Sequence, residues 1–542
     1  MSLISNKLFL NKILKNFGSN NEYNFYKFLI FLIFSILFLP LTFILNEDIN
    51  LIFAHEVDPG SIIHSIDNLF NYPYYNMFNG YHTTYYGWTY ASLTFLFLLP
   101  FKLIFYIFEI EAPVFTIFLI RFVFYLIGLF SALILFRLCR KVLGNKNLVI
   151  SFFTVILFIF SPFGSEIGGH KSLNLFFHIH PETTGILFIF LAVNYLLDYE
   201  NKSQKKFYYY SLTCLVLATL SKQQFFISSF FLSIFLIFLF FNKNKINYCI
   251  PYFLKEITKA FLLSIFFFIL IHPYAFLTPF KFLLSQEELA TSFSAAKNNI
   301  NLIDALILWT NSYKSNPLFS FLTILNLLNI IIIFVKKRST FDIIFNIICL
   351  LIIFFSLLYF SLVNKLNINF NYFQAIYNVI FFQLLFFLKN IFDFRLFNKI
   401  QLKLLIIIIL FIFSFNNFNP TVKSIQERLS YKKGLAYKSY EYVNENLSIN
   451  DKIAHDHHVA IPFSMNDISC HYWRECNYYY KIEDFDPTHV AFLDPLPIWG
   501  WSNNLEGQAL KRYAEDKKMK LIKKIKDNNS SSHILIYKSV KQ

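Results

Sequence analysis

Residues 91–108 read ASLTFLFLLPFKLIFYIF, and whether that stretch crosses a membrane decides the orientation of everything after it. It is apolar, and its eighteen residues suffice to span a hydrocarbon core about 30 Å thick. Against a crossing, Pro100 and Lys102 stand in its middle and a tyrosine-rich segment precedes it. The distribution of charge elsewhere decides the expectation. Eleven further apolar runs make the chain polytopic: 56% of its 542 residues are hydrophobic, far more than a water-soluble surface can hide. Crossings are expected near 27–45, 113–136, 147–162, 183–198, 208–221, 224–241, 257–272, 317–335, 341–361, 373–390 and 402–416. If 91–108 does not cross and the N-terminus is cytoplasmic, 22 of the 30 Lys and Arg before residue 418 lie on the inner side and 12 of 18 acids on the outer side. A crossing at 91–108 inverts every later loop and turns the basic tufts outward. The stretch therefore reads as an interfacial or re-entrant segment on the outer face.

The expected fold is an all-α polytopic membrane domain of about eleven transmembrane helices over 1–417, with outer loops 46–112 and 163–182. A small extracytoplasmic α/β domain follows over 418–542. There the composition shifts to 18 basic and 15 acidic residues, with strand-like DKIAHD, THVAFLD, KLIKKI and HILIYKS and helix-like stretches at 424–447 and 505–519. The first apolar run reads as a signal anchor rather than a cleaved leader. The formal charge of +15 sits in short tufts between apolar runs, the pattern of cytoplasmic loops, so nucleic acid is excluded as a partner. Cys139, Cys214, Cys249 and Cys349 fall in or beside apolar runs and read as packing residues, while Cys470 and Cys476 form a candidate disulfide.

The outer loops carry the candidate chemistry. The first holds Glu47 and Asp48, then HEVDPGSIIHSID at 55–67 with His55, Glu56, Asp58, His64 and Asp67; Pro59-Gly60 sets a turn directly after Asp58. Glu47 and Asp48 read as acids marking the aqueous side, whereas Glu56 and Asp58, beside a structured turn and an interfacial helix, are the functional candidates. The second loop offers His170, Lys171, His178, His180 and then Glu182 at the mouth of the next span. A charge at the bilayer centre costs roughly 2.5–3.5 kcal/mol, so Glu182 belongs at the boundary or in a wet cavity; an acid favoured by the helix dipole is the plainer reading. Lys222, at the apex of a helical hairpin, is placed to meet a lipid phosphate or simply snorkels. Arg121, inside a span, needs a partner. In AHDHHVAIP, His455, Asp456, His457 and His458 offer metal ligands, an acceptor contact or a structural strand end, since neighbouring strand residues face opposite ways.

The order of these features, an acidic first outer loop with interfacial helices, then LIRFVFYLIGLFSALILFRLCRKVLG, HPETTG and LATLSKQQ, resembles the GT-C superfamily of integral-membrane glycosyltransferases, which includes protein O-mannosyltransferases and lipid A aminoarabinose transferases. The resemblance covers about residues 25 to 420. It implies transfer of a sugar from a polyprenyl-phosphate donor to an acceptor hydroxyl at the outer face, with an acid of the first outer loop as base. The family's Asp-Glu pair is interrupted here by Val57, so Asp58 or Glu56 takes that role, Asp58 preferred. Lys222 and Arg121 would stabilise the leaving phosphate; His55, His170, Lys171, His180 and Glu182 would hold substrate. No cofactor is required, although the Glu56-Val57-Asp58 spacing also suits a divalent ion. Partners are the lipid-linked donor, a lipid, glycan or protein acceptor, and membrane lipid. The alternative is a transporter or flippase of a lipid-linked glycan or solute.

Overall fold

The structure, a computed structural model, describes residues 19–44, 48, 50–52, 66, 89–110, 113–160, 176, 181–244, 250–271, 328–329, 331–332, 340–363, 374–392, 399–456, 458–462, 464–470, 479–496, 507–526 and 531–540. Among the described residues eleven helices come first: α1 Ser19–Phe38, α2 Thr89–Ile107, α3 Pro113–Leu143, α4 Leu148–Ile159, α5 Pro181–Lys202, α6 Lys205–Ser221, α7 Phe226–Lys243, α8 Ile250–Ile271, α9 Thr340–Val363, α10 Gln374–Phe392 and α11 Lys399–Leu429. A short α12, Leu435–Asn446, leads into the C-terminal domain. That domain holds β1 Lys452–Asp456, β2 Asn466–Cys470, α13 Tyr479–Phe485, β3 His489–Asp494, α14 Gln508–Asp516, β4 Lys520–Lys526 and β5 His533–Lys538.

Ten of the expected runs coincide with helices, and most of 317–335 lies outside the described residues. Among the described residues five helical stretches are long and apolar enough to cross a bilayer: Asn21–Phe43, Thr89–Ile107, Val114–Leu143, Phe226–Lys243 and Ile400–Leu429. Among the described residues five crossings are thus supported by length and composition, and a count of eleven is not confirmed. Four of the other helices differ in visible ways. α4 has only 12 residues, α5 and α6 carry charges at their ends, and α8 holds Lys255, Glu256 and Lys259. The exposed surface has a membrane protein's character. Ile400, Leu404, Leu405, Ile408, Phe411, Ile412 and Phe415 form an exposed apolar stripe along α11, a face that only lipid or another apolar surface covers at low cost. α11 runs on through Pro420 to Leu429, past the expected domain edge at 417.

Helix α2, the stretch quoted first, is continuous through Pro100, yet it does not run alongside its neighbour. Phe105 and Phe101 meet Phe115 with ring centroids 5.7 and 6.2 Å apart. At the other end the Tyr90 hydroxyl donates to Ile120 O at 3.0 Å and its ring lies 6.2 Å from Phe124. From 105 to 90 the helix advances about 22 Å along its own axis, while its partners on α3 shift by only about 8–13 Å. α2 is therefore steeply inclined, with both ends against the first half of α3.

The bundle has two distinct ends. One gathers the turn Leu39–Phe43, the starts of α3 and α5, and the ends of α6 and α8; here Thr89 Oγ1 donates to Leu217 O at 3.1 Å and Ser92 Oγ to Ile271 O at 3.0 Å. We call it the Glu182 rim. The other, the Arg140 rim, gathers the start of α1 with the ends of α3, α5 and α7.

The C-terminal sheet has the order β2-β1-β3-β5-β4, with β2, β1 and β3 parallel and β5 and β4 antiparallel. Alternate residues feed two cores. Ala454, Val490 and Phe492 pack toward α13 and α14, while Ile453, Ala491, Ile534 and Ile536 pack with Val443 of α12. Sequence reading located β1, β3, β4, β5 and α14; β2 and α13 are additions.

Candidate functional site

The site is built where the sequence segments PETTG and SKQQF meet. Pro181 opens α5, which its fixed φ and missing N–H suit, and Glu182 follows in the first turn, where the helix dipole favours a carboxylate. Lys222 ends α6: its N–H donates to Ala218 O at 3.4 Å, and its carbonyl accepts from Phe225 N at 3.0 Å, starting the 3-10 turn Gln223–Phe225. The Lys222 ammonium lies on Glu182 Oε1, and the two side chains are 4% and 0% exposed. Gly185, one turn beyond Glu182, makes the approach of α5 to this turn feasible. A Cβ there would run into the ring of fully buried Phe225.

Arg121 lies on α3 at the same rim, 6% exposed, with Nη1 donating to Leu41 O at 3.2 Å. The N-terminus of α2 sits between the two cation-bearing helices. Tyr90 is bonded to Ile120 O, adjacent in sequence to Arg121, and Thr89 to Leu217 O, just over a turn before Lys222. The structure therefore gathers Glu182, Lys222 and Arg121 at one end of the bundle and gives Glu182 and Lys222 each other as partners. Two opposite charges so deeply buried recover their desolvation cost only through close contact, so the pair adds little net stability. An acid and two cations at a membrane rim can bind hydroxyls and offset the charge of a phosphate.

The segment that follows the Leu39–Phe43 turn is tied to the C-terminal domain. Asn50 Nδ2 donates to Ile461 O at 3.0 Å, and Asp48 Oδ1 accepts from Asn50 N at 2.8 Å. The candidates His55, Glu56, Asp58, His64, Asp67, His170, Lys171, His178 and His180 lie outside the described residues, as do Glu47, His457 and Cys476. Cys139, Cys214 and Cys349 are buried free thiols.

In the C-terminal domain His455 and Asp456 are engaged within the sheet. His455 Nε2 lies 2.9 Å from Asp467 Oδ2 and Nδ1 2.8 Å from Asp456 O. Asp456, fully buried, accepts from His458 N at 2.9 Å and Leu493 N at 2.6 Å, tying the end of β1 to β3. Burial lowers the pKa of His489, while nearby Asp451 pulls it up in part. Among the described residues no three His, Cys, Asp or Glu side chains converge to hold a metal.

Two groupings escaped sequence reading. Asp198 takes Lys141 at 2.7 Å, Lys202 at 3.3 Å and Arg137 at 3.8 Å at the opposite rim; the DYENK spacing, acid and lysine four apart, is the signal that could have found it. Asn390 Nδ2 donates to Asn329 Oδ1 and Asn329 Nδ2 to Asn346 Oδ1, both at 2.8 Å, linking three segments distant in sequence; isolated asparagines carry no such signal. No protein-family model matches the chain, and no curated protein matches it.

Proposed function

We propose that the chain is a membrane glycosyltransferase that moves a sugar from a polyprenyl-phosphate donor to an acceptor hydroxyl at the outer membrane face. The observation that carries this reading is the burial of the Glu182–Lys222 pair, and of Arg121, at one end of the apolar bundle, the same end from which the segment at 48–50 is tied to the C-terminal domain. A donor with a long hydrocarbon tail cannot leave the bilayer, so its phosphate and sugar must be processed at a rim. The cations of Lys222 and Arg121 supply what a departing phosphate needs, and Glu182 is placed to hold hydroxyls. Asp58 or Glu56 acts as the base that takes the acceptor proton as oxygen attacks the anomeric carbon.

Sidedness is part of the proposal. The described basic side chains Arg137, Arg140, Lys141, Lys202 and Lys243 gather at the Arg140 rim, so the positive-inside rule assigns that rim to the cytoplasm and the Glu182 rim to the outside. Single cysteines at Glu109 and Lys520 then react with an impermeant maleimide in intact cells, and cysteines at Lys146 and Lys206 react only after lysis. The reverse pattern overturns the outer-face assignment.

The activity is tested by incubating the detergent-purified chain with radiolabelled polyprenyl-phosphate sugars and a mixture of envelope acceptors. Transfer is expected in the wild type and is lost in Asp58→Asn or Glu56→Gln. Transfer unchanged in both variants removes the base assignment. Counterflow of a solute in proteoliposomes without a covalent product overturns the enzyme reading in favour of transport.

A further inference from the structure

We propose that the cavity at the Arg140 rim binds the phosphate headgroup of an anionic membrane lipid. This inference is independent of the glycosyltransferase reading and concerns the opposite end of the bundle. The cavity has a volume of about 720 Å³ and lies between α1, the ends of α3 and α5, and the turn Asn145–Asn147. That is the size range of small-molecule sites. Five cationic side chains line it, Lys27, Arg137, Arg140, Lys141 and Lys202, against one carboxylate, Asp198. Asp198 is shared among Lys141, Lys202 and Arg137, so one negative charge meets three of the five positive ones and the lining keeps a large cationic excess. An anion is the ligand such a lining recognises.

The cavity is also built rather than merely charged. The Arg140 guanidinium lies 4.2 Å from the centre of the Tyr23 ring, and its Nε donates to Asn145 Oδ1 at 2.7 Å, so its plane is fixed before any ligand arrives. Tyr23 is itself stacked on Phe136 at 5.2 Å. Lys141 Nζ is held both by Asp198 and by Asn194 O at 2.9 Å.

The apolar part of the lining selects a lipid over a free anion. Phe130, Leu133 and Ile134 continue the wall along α3, one to three turns deeper than Arg140, and Phe130 is half exposed. Cations at the rim with apolar surface below match an amphiphile whose phosphate sits at headgroup depth and whose chains extend down the helix. Basic pockets between transmembrane helices on the cytoplasmic side are suited to such headgroups. Residues 1–18, which precede α1, carry Lys7, Lys12 and Lys15 and no acid, so charge complementarity excludes that segment as the occupant.

The test uses the full-length protein in phosphatidylcholine nanodiscs titrated with phosphatidylglycerol, with bound lipid counted by native mass spectrometry. One phosphatidylglycerol is retained in preference to phosphatidylcholine. The paired substitution Arg137→Gln with Arg140→Gln lowers that retention about tenfold, the scale of one charge-assisted hydrogen bond. Lys27→Gln with Arg137→Gln, both at exposed positions, lowers it without touching the Tyr23 stack. Lys205→Gln with Lys206→Gln, exposed basic positions at the start of α6 outside the cavity, leaves it unchanged. Equal retention of the two lipids, or equal loss from the cavity and control pairs, overturns the site. Displacement of phosphatidylglycerol by inorganic phosphate or glycerol phosphate overturns the assignment to a lipid.

Discussion

The two ends of the helical bundle carry the same kinds of charged side chain and treat them in opposite ways. At the Glu182 rim the acid and its lysine are almost wholly withdrawn from solvent. At the Arg140 rim Asp198 is also buried, its side chain 5% exposed, but the side chains of Lys202 and Arg137 are 52% and 48% exposed. The helix dipoles sharpen the contrast. Glu182 stands at a helix start and Lys222 at a helix end, both favourable, whereas Asp198 stands near the C-terminal end of α5, where the dipole opposes it and cations compensate. The lesson is that a cationic rim in contact with water can tolerate excess charge, whereas an interior pair has to be matched one to one.

Removing one partner of the buried pair is expected to have the largest effect. Lys222→Met removes the ammonium from the buried Glu182 carboxylate, at a cost of about 3–5 kcal/mol, read as a large fall in thermal midpoint in detergent. Combining Glu182→Leu with Lys222→Met removes both charges and restores most of that stability, since apolar replacements of buried pairs are often neutral. If the proposed function is right, the double variant is folded and inactive. A double variant that is both stable and active reduces the pair to a structural element and erases the contrast between the rims.

How far these features could be read from the sequence follows from the length scale of each signal. Helices α1, α3 to α11 and four of the five strands follow from local apolar periodicity. β2, with its polar NDISC sequence at the sheet edge, offers little such pattern. Glu182, Lys222 and Arg121 each stood out as charges at apolar boundaries, because a charge among apolar residues is visible without tertiary structure. Their gathering was not visible, since Glu182 and Lys222 lie 40 residues apart and meet only because α5 and α6 form a hairpin. Asp198 escaped because an acid beside a basic tuft reads as solvated loop. The inclination of α2 was beyond sequence too: Pro100 and Lys102 mark the stretch as unusual, but the angle is set by packing on Phe115 and Phe124.

The glycines near the rims give an intermediate test. Gly185→Ala forces a methyl against the Phe225 ring, which has no exposed space to move into, and is expected to cost about 1–3 kcal/mol. Phe225→Leu in the same chain recovers part of that loss, measurable as a coupling in a double-mutant cycle. Gly144, past the end of α3 at the other rim, has φ +78 and nothing within 4 Å of an added Cβ. Gly144→Ala therefore costs about 1–3 kcal/mol through backbone strain alone, and trimming neighbours does not recover it. Rescue of Gly144→Ala by a smaller neighbour breaks the distinction between a packed rim and an open one.

The smallest effect belongs to Lys202. It sits four residues after Asp198 with its side chain half in solvent, the geometry of a surface pair contributing about 0.3–0.5 kcal/mol. Lys202→Gln lowers the thermal midpoint barely, whereas Lys141→Gln, which removes a 2.7 Å contact from a side chain 17% exposed, lowers it more. Salt separates the two rims most cleanly. Raising ionic strength to 1 M shortens the screening length to about 3 Å, so the Lys202→Gln difference vanishes. The Lys222→Met difference persists, because no counter-ion reaches a pair enclosed by α5, α6 and Phe225. A Lys222→Met penalty that fades with salt in step with that of Lys202→Gln means that water and ions enter the Glu182 rim, and the pair is then better described as the wall of a hydrated cavity than as an interior contact.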